Sequence, residues 1–436
     1  MNIVLLSGGS GKRLWPLSND VRSKQFIKLF KTEDGSYESM VQRVYRQIQN
    51  VDKEATVTIA TSKTQVSAIH NQIGNQVGVC VEPCRRDTFP AIALATAYLH
   101  DVLGISEEEA VVVCPVDPYV EDDYFHAVKE LGDLAQCGTA NLVLMGMDPT
   151  YPSEKYGYII PADKEKVSTA KEFKEKPSEE VAKQYIAQGA LWNGGVFAYK
   201  LDYVLNKAEE LLGCKDYETL YQNYENLNKI SFDYAVVEHE TNIQVMRFNG
   251  QWKDLGTWNT LTEAMIERNV GAAMFNETCE NVHVLNELDV PVLCMGLKDV
   301  VVSASPEGIL VSDKNQSSYI KPFVDTLDQK IMFAEKSWGN YRVLDVCEDS
   351  MTIKVSLKQG SKMNYHSHQH RDEVWTVISG IGIAFIDGKE IVLNAGDVVK
   401  MPAGCKHMVE AKTALEMIEV QCGKDISAED KMKFEG

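Results

Sequence analysis

Five short apolar runs, at residues 2–7, 56–61, 77–82, 110–115 and 141–145, alternate with three stretches, 37–49, 89–102 and 123–135, whose apolar residues recur at helical spacing. Runs of that length suit strands buried on both faces. Their alternation with helices predicts an α/β fold built on a mostly parallel sheet covered on both sides. Ligands of such sheets gather at the carboxyl ends of the strands, so chemistry is expected just after Leu6 and near Asp117.

The texture then changes. From about residue 275 to 325 the chain offers short β-prone pieces (281–285, 290–295, 300–303, 308–311) and no convincing helix, which predicts a small β linker domain. From 331 onward strands follow closely, at 341–346, 352–357, 374–379, 381–386, 390–393, 397–401 and 415–420, with Gly and Asp at the turns. That pattern suits a small β-barrel or jelly roll. A chain of 436 residues exceeds one ordinary core, and the expected division is 1–270, 271–330 and 331–436.

Charge and hydropathy remove several classes. Asp and Glu total 63 against 44 Lys and Arg, a net charge of −19, so the summed field repels nucleic acid. Any phosphate substrate must be held by local basic groups. No apolar run reaches the roughly 18 residues of a membrane span, and the first apolar segment, residues 3–6, ends in glycines. A cytoplasmic protein without membrane attachment is expected. The ten cysteines are scattered with no Cys-x-x-Cys pair, so they read as reduced core residues and not as a zinc ribbon or redox dithiol.

After the first run, Gly8, Gly9 and Gly11 allow backbone amides to approach a polyphosphate, and Lys12, Arg13 and Lys24 add positive charge. Two familiar phosphate motifs fail. A P-loop needs Gly at 6 and Ser or Thr at 13, where Leu6 and Arg13 stand; a dinucleotide fingerprint from Gly9 needs Gly or Ala at 14, which is Leu14. Read alone, Asp117 and Asp254 are turn or cap residues, Lys176 is a surface lysine, and Asn193 holds a turn before Gly194-Gly195.

The run Gly8-Gly9-Ser10-Gly11-Lys12-Arg13-Leu14, followed by Lys24-Gln25, resembles the signature of sugar-nucleotide pyrophosphorylases. Its continuation Trp15-Pro16-Leu17-Ser18 and Lys24-Gln25-Phe26 are similar to mannose-1-phosphate guanylyltransferases. The match recurs in order at Glu82-Pro83 to Thr88 with Pro90-Ala91-Ile92-Ala93, Pro149-Thr150 with Tyr156-Gly157-Tyr158-Ile159, and Phe173 to Pro177. It continues at Leu191-Trp192-Asn193, Asp233-Tyr234-Ala235-Val236 and Trp252-Lys253-Asp254-Leu255-Gly256-Thr257-Trp258.

The resemblance implies a Rossmann-like, GT-A-like nucleotidyltransferase domain that makes GDP-mannose and pyrophosphate from GTP and mannose 1-phosphate. It implies catalytic roles for Arg13, Lys24, Asp117 and Asp254, with Mg²⁺ on the two aspartates. It places the nucleotide on Leu6, Gly8, Gly9, Gly11, Lys12, Arg13 and Glu82, and the sugar phosphate on Tyr156, Gly157, Glu175, Lys176 and Asn193. The family's Thr, Gly-Arg-Asn run and Asp-His pair are replaced here by Lys12, Arg85-Arg86-Asp87 and Asp117-Pro118. Another base or hexose therefore stays open, as does a non-enzymatic sugar-nucleotide-binding regulator, which intact Arg13, Lys24, Asp117, Lys176 and Asp254 oppose.

In the last third, Gly360, His366, His368, Glu373 and Gly380 fit G-x5-H-x-H-x4-E-x6-G, and Gly396, Pro402, Gly404 and His407 fit G-x5-P-x-G-x2-H. These spacings resemble the two cupin motifs and imply a carboxyl-terminal cupin β-barrel. His366 and His368, two apart on a strand, share a face; Glu373 and His407 are expected from a neighbouring turn and strand. The set suits a divalent transition metal such as Zn, Fe, Mn or Ni. His370 is read as an outer neighbour of the metal or as solvent-facing. The pairing resembles bifunctional enzymes whose cupin is a mannose-6-phosphate isomerase, through Lys336 to Tyr341 and Ile418 to Gly423. In those relatives an arginine follows the cupin histidine, but here Met408 follows His407, so weak isomerisation is expected, with Lys406 or Arg371 as candidate replacements. A homodimer is expected, since many cupins dimerise.

Overall fold

Ile3, Val4 and Leu5 are fully buried at the centre of the strand Asn2–Leu6, which pairs in parallel with Thr56–Ser62 on one side and Ala110–Pro115 on the other. A computed structural model describes residues 1–9, 12–19, 21–327, 331–424, 426–427 and 430–434. It divides into two compact units, one of Met1–Gly9, Lys24–Val66 and Gln72–Ile266, the other of Ser10–Ser23, Ser67–Asn71 and Glu267–Gly436.

The first unit carries a nine-stranded sheet in the order Gly78–Glu82, Thr56–Ser62, Asn2–Leu6, Ala110–Pro115, Leu191–Lys200, Leu142–Met147, Ile243–Phe248, Val167–Lys174, Tyr158–Pro161. The first four strands are parallel, but Leu191–Lys200 runs antiparallel to both of its neighbours. The sheet is therefore mixed, not mostly parallel. A strand buried on both faces shows the same unbroken apolar run in either direction, so its pattern carries no sign of orientation.

Helices Thr88–Asp101 and Asp122–Cys137 lie close to their expected spans. The stretch expected as a helix over 37–49 differs: Tyr37–Ser39 is a strand paired with Lys28–Lys31, and the helix is Met40–Val51. Local chemistry fixes that boundary. Ser39 Oγ accepts from Gln42 N, while Gln42 Oε1 accepts from Ser39 N at 3.1 Å, so the capping box closes the first turn here and leaves residues 37–39 extended.

In the second unit a small sheet of Asn269–Val270, His283–Asn286, Val300–Ser305 and Gly308–Asp313 stands over a core of Cys279, Val282, Val284, Cys294 and Val302. Trp15, Pro16 and Arg22 attach to it. Ser305 Oγ donates to Pro16 O at 3.0 Å, and Arg22 forms a two-pronged pair with Glu287 at 2.7 and 2.8 Å. Gly308 at φ +155° faces the Trp15 indole, where a Cβ would lie 2.6 Å from the ring. Nothing in the sequence pointed to this anchorage.

The same unit ends in a six-stranded and a five-stranded sheet facing each other around Trp375, Val377, Val409 and Met417, a cupin barrel. Among the described residues no helix is long and apolar enough to cross a membrane.

Candidate active site and metal centre

In the first unit the loop after Leu6 is shaped from below. Gln25 is buried and its Nε2 donates to Ser7 Oγ at 2.9 Å and Ser7 O at 3.2 Å, so the Lys24-Gln25 pair divides its work: Gln25 fixes the entry to the glycines and Lys24 supplies charge. Strand Trp252–Asp254 pairs with Pro118–Val120 in a register that sets Asp254 opposite Pro118, next to Asp117. The two carboxylates thus meet across a two-stranded ribbon, although 136 positions separate them in the chain. Lys24 Nζ lies 3.0 Å from Asp117 and 3.9 Å from Asp254, bridging both. Tyr156 adjoins them; burial and then the Asp254 charge push its hydroxyl well above the ordinary range. Its ring packs on Trp192 and Trp252, two aromatics given no role from sequence.

Glu82 reaches the opposite side of the loop. A Cβ on Gly8 would stand 3.7 Å from Glu82 Oε1, and Tyr224 OH donates to Oε2 at 2.8 Å. Burial raises the Glu82 carboxyl to about 7, against the Tyr224 hydrogen bond and Arg85. Lys12, on the turn Lys12–Leu14 with Arg13, lies in the second unit 3.8 Å from Asp325. Gly11 is outside the described residues.

A second cluster joins Tyr156, Gly157, Glu175, Lys176 and Asn193. Gly157 O accepts from Asn193 N at 2.8 Å, and Glu175 pairs with the Lys176 ammonium. Asn193 Nδ2 donates to Asp233 Oδ1 at 2.6 Å, bringing in a carboxylate whose sequence motif carried no role for it. Burial, and then the charge of Glu175, raise Asp233 to about 7. A Cβ at Gly157 would come 2.5 Å from Glu175 Oε2 and 2.9 Å from the Phe173 ring. Gly157→Ala is therefore expected to cost roughly 1–3 kcal/mol in overpacking, read as a lower denaturation midpoint together with a raised KM for the sugar phosphate. An unchanged midpoint and KM would remove the close-approach argument.

In the cupin, His366, His368, Glu373 and His407 are all buried, with one ligand atom of each lying within 4.8 Å of the others. Glu373 comes from the strand Arg371–Ser379 and not from a turn, and the register sets His366 directly opposite His407. Each imidazole is oriented through Nδ1 by a backbone carbonyl: His366 to Asn364 at 2.6 Å, His368 to Asp430 at 3.3 Å, His407 to Cys405 at 3.0 Å. With Nδ1 of His366 so engaged, its Nε2 is left for the centre, whereas His368 and His407 turn Nε2 toward Glu373. His368 Nε2 and His407 Nε2 each lie 3.0 Å from a Glu373 oxygen. Burial opposes the Glu373 charge, but hydrogen bonds from the two histidines outweigh it and hold the carboxyl well below its usual range. Burial, aided by the Lys431 charge, pulls His366 down to about 3, so it stays neutral.

His370 turns outward onto Asp430 at 2.8 Å. Met408 alternates with His407 along His407–Ala411, so residue 408 points to the other strand face. The two candidate replacements are already engaged. Lys406 Nζ lies 4.1 Å from the Phe434 ring centre, and Arg371 is bound to Glu373 at 3.2 Å and Ser427 O at 2.8 Å.

Two family models match: nucleotidyl transferase over residues 2–269 and mannose-6-phosphate isomerase C-terminal over residues 325–436. The chain is 28% identical to a mannose-1-phosphate guanylyltransferase of Salmonella typhimurium and 27% to one of Escherichia coli K12, covering 99% of this chain and 97% of each relative. A solved structure described as mannose-1-phosphate geranyltransferase from Thermus thermophilus superposes with a TM-score of 0.61 at 26% identity, over 74% of this chain and 98% of that one. With more than half of its length under the first model, the chain belongs to the nucleotidyl transferase family.

Proposed function

We propose that this nucleotidyltransferase moves the guanylyl group of GTP onto mannose 1-phosphate, releasing pyrophosphate and forming GDP-mannose. The observation that carries the reading is Lys24 bridging Asp117 and Asp254 beside the glycine loop. Asp117, just before the strand Pro118–Val120, and Asp254, at the end of its partner strand, are hard oxygen donors of the kind Mg²⁺ takes alongside phosphates, and the ion, when bound, offsets phosphate charge. The chain's own part is positioning. Lys24 holds the triphosphate with the amides of Gly8 and Gly9, and Leu6 closes the strand end; the resemblance gives Arg13 the same task. Glu82, an acceptor beside Gly8, suits the N–H edge of guanine. Glu175 and Asn193 accept and donate to sugar hydroxyls, Tyr156 packs on the sugar side, and Lys176 meets the sugar phosphate, whose oxygen attacks the α-phosphorus in line as pyrophosphate leaves.

For the remaining parts we propose that 271–330 serves as a linker and that the barrel of 331–436 holds a zinc-like divalent ion on three imidazoles and one carboxylate, a donor set that fits such ions. Pyrophosphate release measured across GTP, ATP, CTP and UTP, each with mannose, glucose and fucose 1-phosphates, tests the transferase reading. GTP with mannose 1-phosphate is expected to lead; preference for another pair would replace the base or the sugar. Lys176→Ala is expected to raise KM for the sugar phosphate roughly tenfold or more while leaving GTP saturation little changed, since one charge-assisted phosphate contact is worth roughly 1.5–3 kcal/mol. An effect confined to GTP would move Lys176 to the nucleotide.

A further inference from the structure

Tyr224 is fully buried, on the turn Tyr224–Asn226 that follows the helix Tyr217–Asn223. Its hydroxyl reaches across 142 positions of chain to donate to Glu82 Oε2 at 2.8 Å. Glu82 ends the strand Gly78–Glu82 and is itself buried, with Oε1 on the side of Gly8. The two carboxylate oxygens therefore have different surroundings: one is held by a buried phenol and the other turns to the glycine loop.

The segment that Tyr224 opens also anchors the loop after Glu82. Arg86 Nη2 donates to Glu225 O, Ile230 N to Arg86 O at 3.3 Å, Phe89 N to Ile230 O at 3.2 Å and Phe232 N to Thr88 Oγ1 at 2.8 Å. Residues 85–87, where the sequence departs from the family's run, are thus fixed to the same stretch of chain that fixes Glu82.

A carboxyl group reads a base according to its charge. Ionised, it only accepts; protonated, it also donates. Guanine offers two N–H donors side by side, N1–H and the 2-amino group, whereas adenine sets an acceptor, N1, beside its 6-amino donor. An ionised Glu82 suits the first and repels the second, and a protonated one loses that preference. The groups that act on the Glu82 carboxyl are Tyr224, Arg85 and, on its own strand, Cys80, while Cys84 acts on Tyr224. Burial pushes the carboxyl up to about 7, and Tyr224 and Arg85 pull against that rise. Burial and then the Glu82 charge push the Tyr224 hydroxyl far above its ordinary range, so it stays a donor, and burial keeps the Cys80 thiol neutral. A hydrogen bond to the charged form favours that form, so this one bears on the charge of Glu82 near neutral pH.

We propose that Tyr224 is a positioning residue for base selection, holding Glu82 as an ionised acceptor with Oε1 toward the glycine loop, so that the site takes a guanine nucleotide in preference to an adenine one. This rests on the reading of Glu82 as the acceptor for guanine and adds the group that keeps it so.

The test compares full-length wild type, Tyr224→Phe, Glu82→Gln and the double variant in pyrophosphate release from GTP and from ATP with mannose 1-phosphate, between pH 6 and 9. Wild type is expected to favour GTP, with kcat/KM for GTP falling as the pH drops through about 7. Phenylalanine keeps the ring in the core, and the thermal midpoint checks that the fold survives. At pH 7, Tyr224→Phe should raise KM for GTP about tenfold, the effect of one hydrogen bond to a charged group, and shrink the preference for GTP over ATP by a similar factor. Its acid limb should move to higher pH, so that raising the pH restores GTP saturation, while KM for mannose 1-phosphate stays near that of wild type. Glu82→Gln should lose the acid limb, and Tyr224→Phe should add little to it, because the tyrosine works through the carboxylate. An unchanged base preference and pH profile in Tyr224→Phe, an equal loss with and without Glu82, or an acid limb unaltered in Glu82→Gln overturns the proposal and leaves guanylyl transfer in place. A wild type that prefers another triphosphate removes the guanylyl reading and the proposal with it.

Discussion

Asp254→Asn or Asp117→Asn is expected to lower kcat roughly a hundredfold or more, because a lost Mg²⁺ ligand withdraws several kcal/mol of charge stabilisation from the transition state. The asparagine keeps the shape of the side chain, and the native carboxylates are 36% and 46% exposed, so neither change leaves a buried hole or an orphaned polar atom. Structure should survive; chemistry should not. The ion pairs add a second expectation. Each carboxylate tempers the Lys24 ammonium, and removing one makes the site more positive toward a triphosphate. GTP binding is therefore expected to hold or tighten while turnover falls, a split in which kcat and KM move down together. Steady-state kinetics over a range of Mg²⁺ concentrations reads both, with the variants shifted to higher metal requirement. Near-normal turnover in both would end the two-carboxylate assignment, and a rise in KM for GTP with kcat intact would recast them as groups that merely shape the loop.

What could be read from sequence follows the range of the interaction. His366 and His368 stand two apart, where strand periodicity alone puts side chains on one face, while Glu373 and His407 join them from other strands through motif spacings that resemble a family, and the four-residue cluster forms as those spacings imply. Asp117 and Asp254 are far apart in the chain and were named only because ordered motifs resemble a family; the ribbon that joins them, Pro118–Val120 with Trp252–Asp254, is three residues on each side and leaves no periodic signal. Asp233 was passed over for the same reason. Its contact with Asn193 depends on how a four-residue helix, Phe232–Ala235, lies beside a bulged strand. A buried carboxylate raised to about 7 is visible only once its surroundings exist.

Other misses have equally local causes. Lys431–Lys433 reads as a charged terminus, too short and too polar to announce a strand, yet pairing with His366–His368 makes it one. Residues 12–23 follow the glycine loop directly, but Trp15, Pro16 and Arg22 find their partners at Gly308, Ser305 and Glu287, more than 260 positions away. Direction within the sheet was equally hidden, since Leu191–Lys200 is buried along nearly its whole length and such a run reads the same in either direction.

His366→Ala is expected to empty the cupin of transition metal, from about one ion per chain to a small fraction, while leaving guanylyl transfer unchanged. Four ligands enclose the ion in the proposed arrangement, and loss of one direct imidazole should weaken affinity at least as much as loss of an outer hydrogen-bond partner, which costs about 10–100-fold. His366 suits the test because its removal spares the Glu373 network: Glu373 keeps its contacts with His368, His407 and Arg371, and the small void sits beside His407. Protonation sharpens the expectation. His366 is held neutral with its proton affinity pulled down to about 3, so near neutral pH the ion does not compete with a proton for that nitrogen. Any metal lost from wild type as pH falls from 8 toward 6, read by mass spectrometry on dialysed protein, should therefore not come from protonation of His366. Whatever conversion of fructose 6-phosphate to mannose 6-phosphate the wild type shows should fall with the metal, and the transferase rate, set by Lys24, Asp117 and Asp254, should not. Full metal content in His366→Ala would dissolve the ligand set, and a parallel fall in guanylyl transfer would show that the barrel's ion serves the transferase as well.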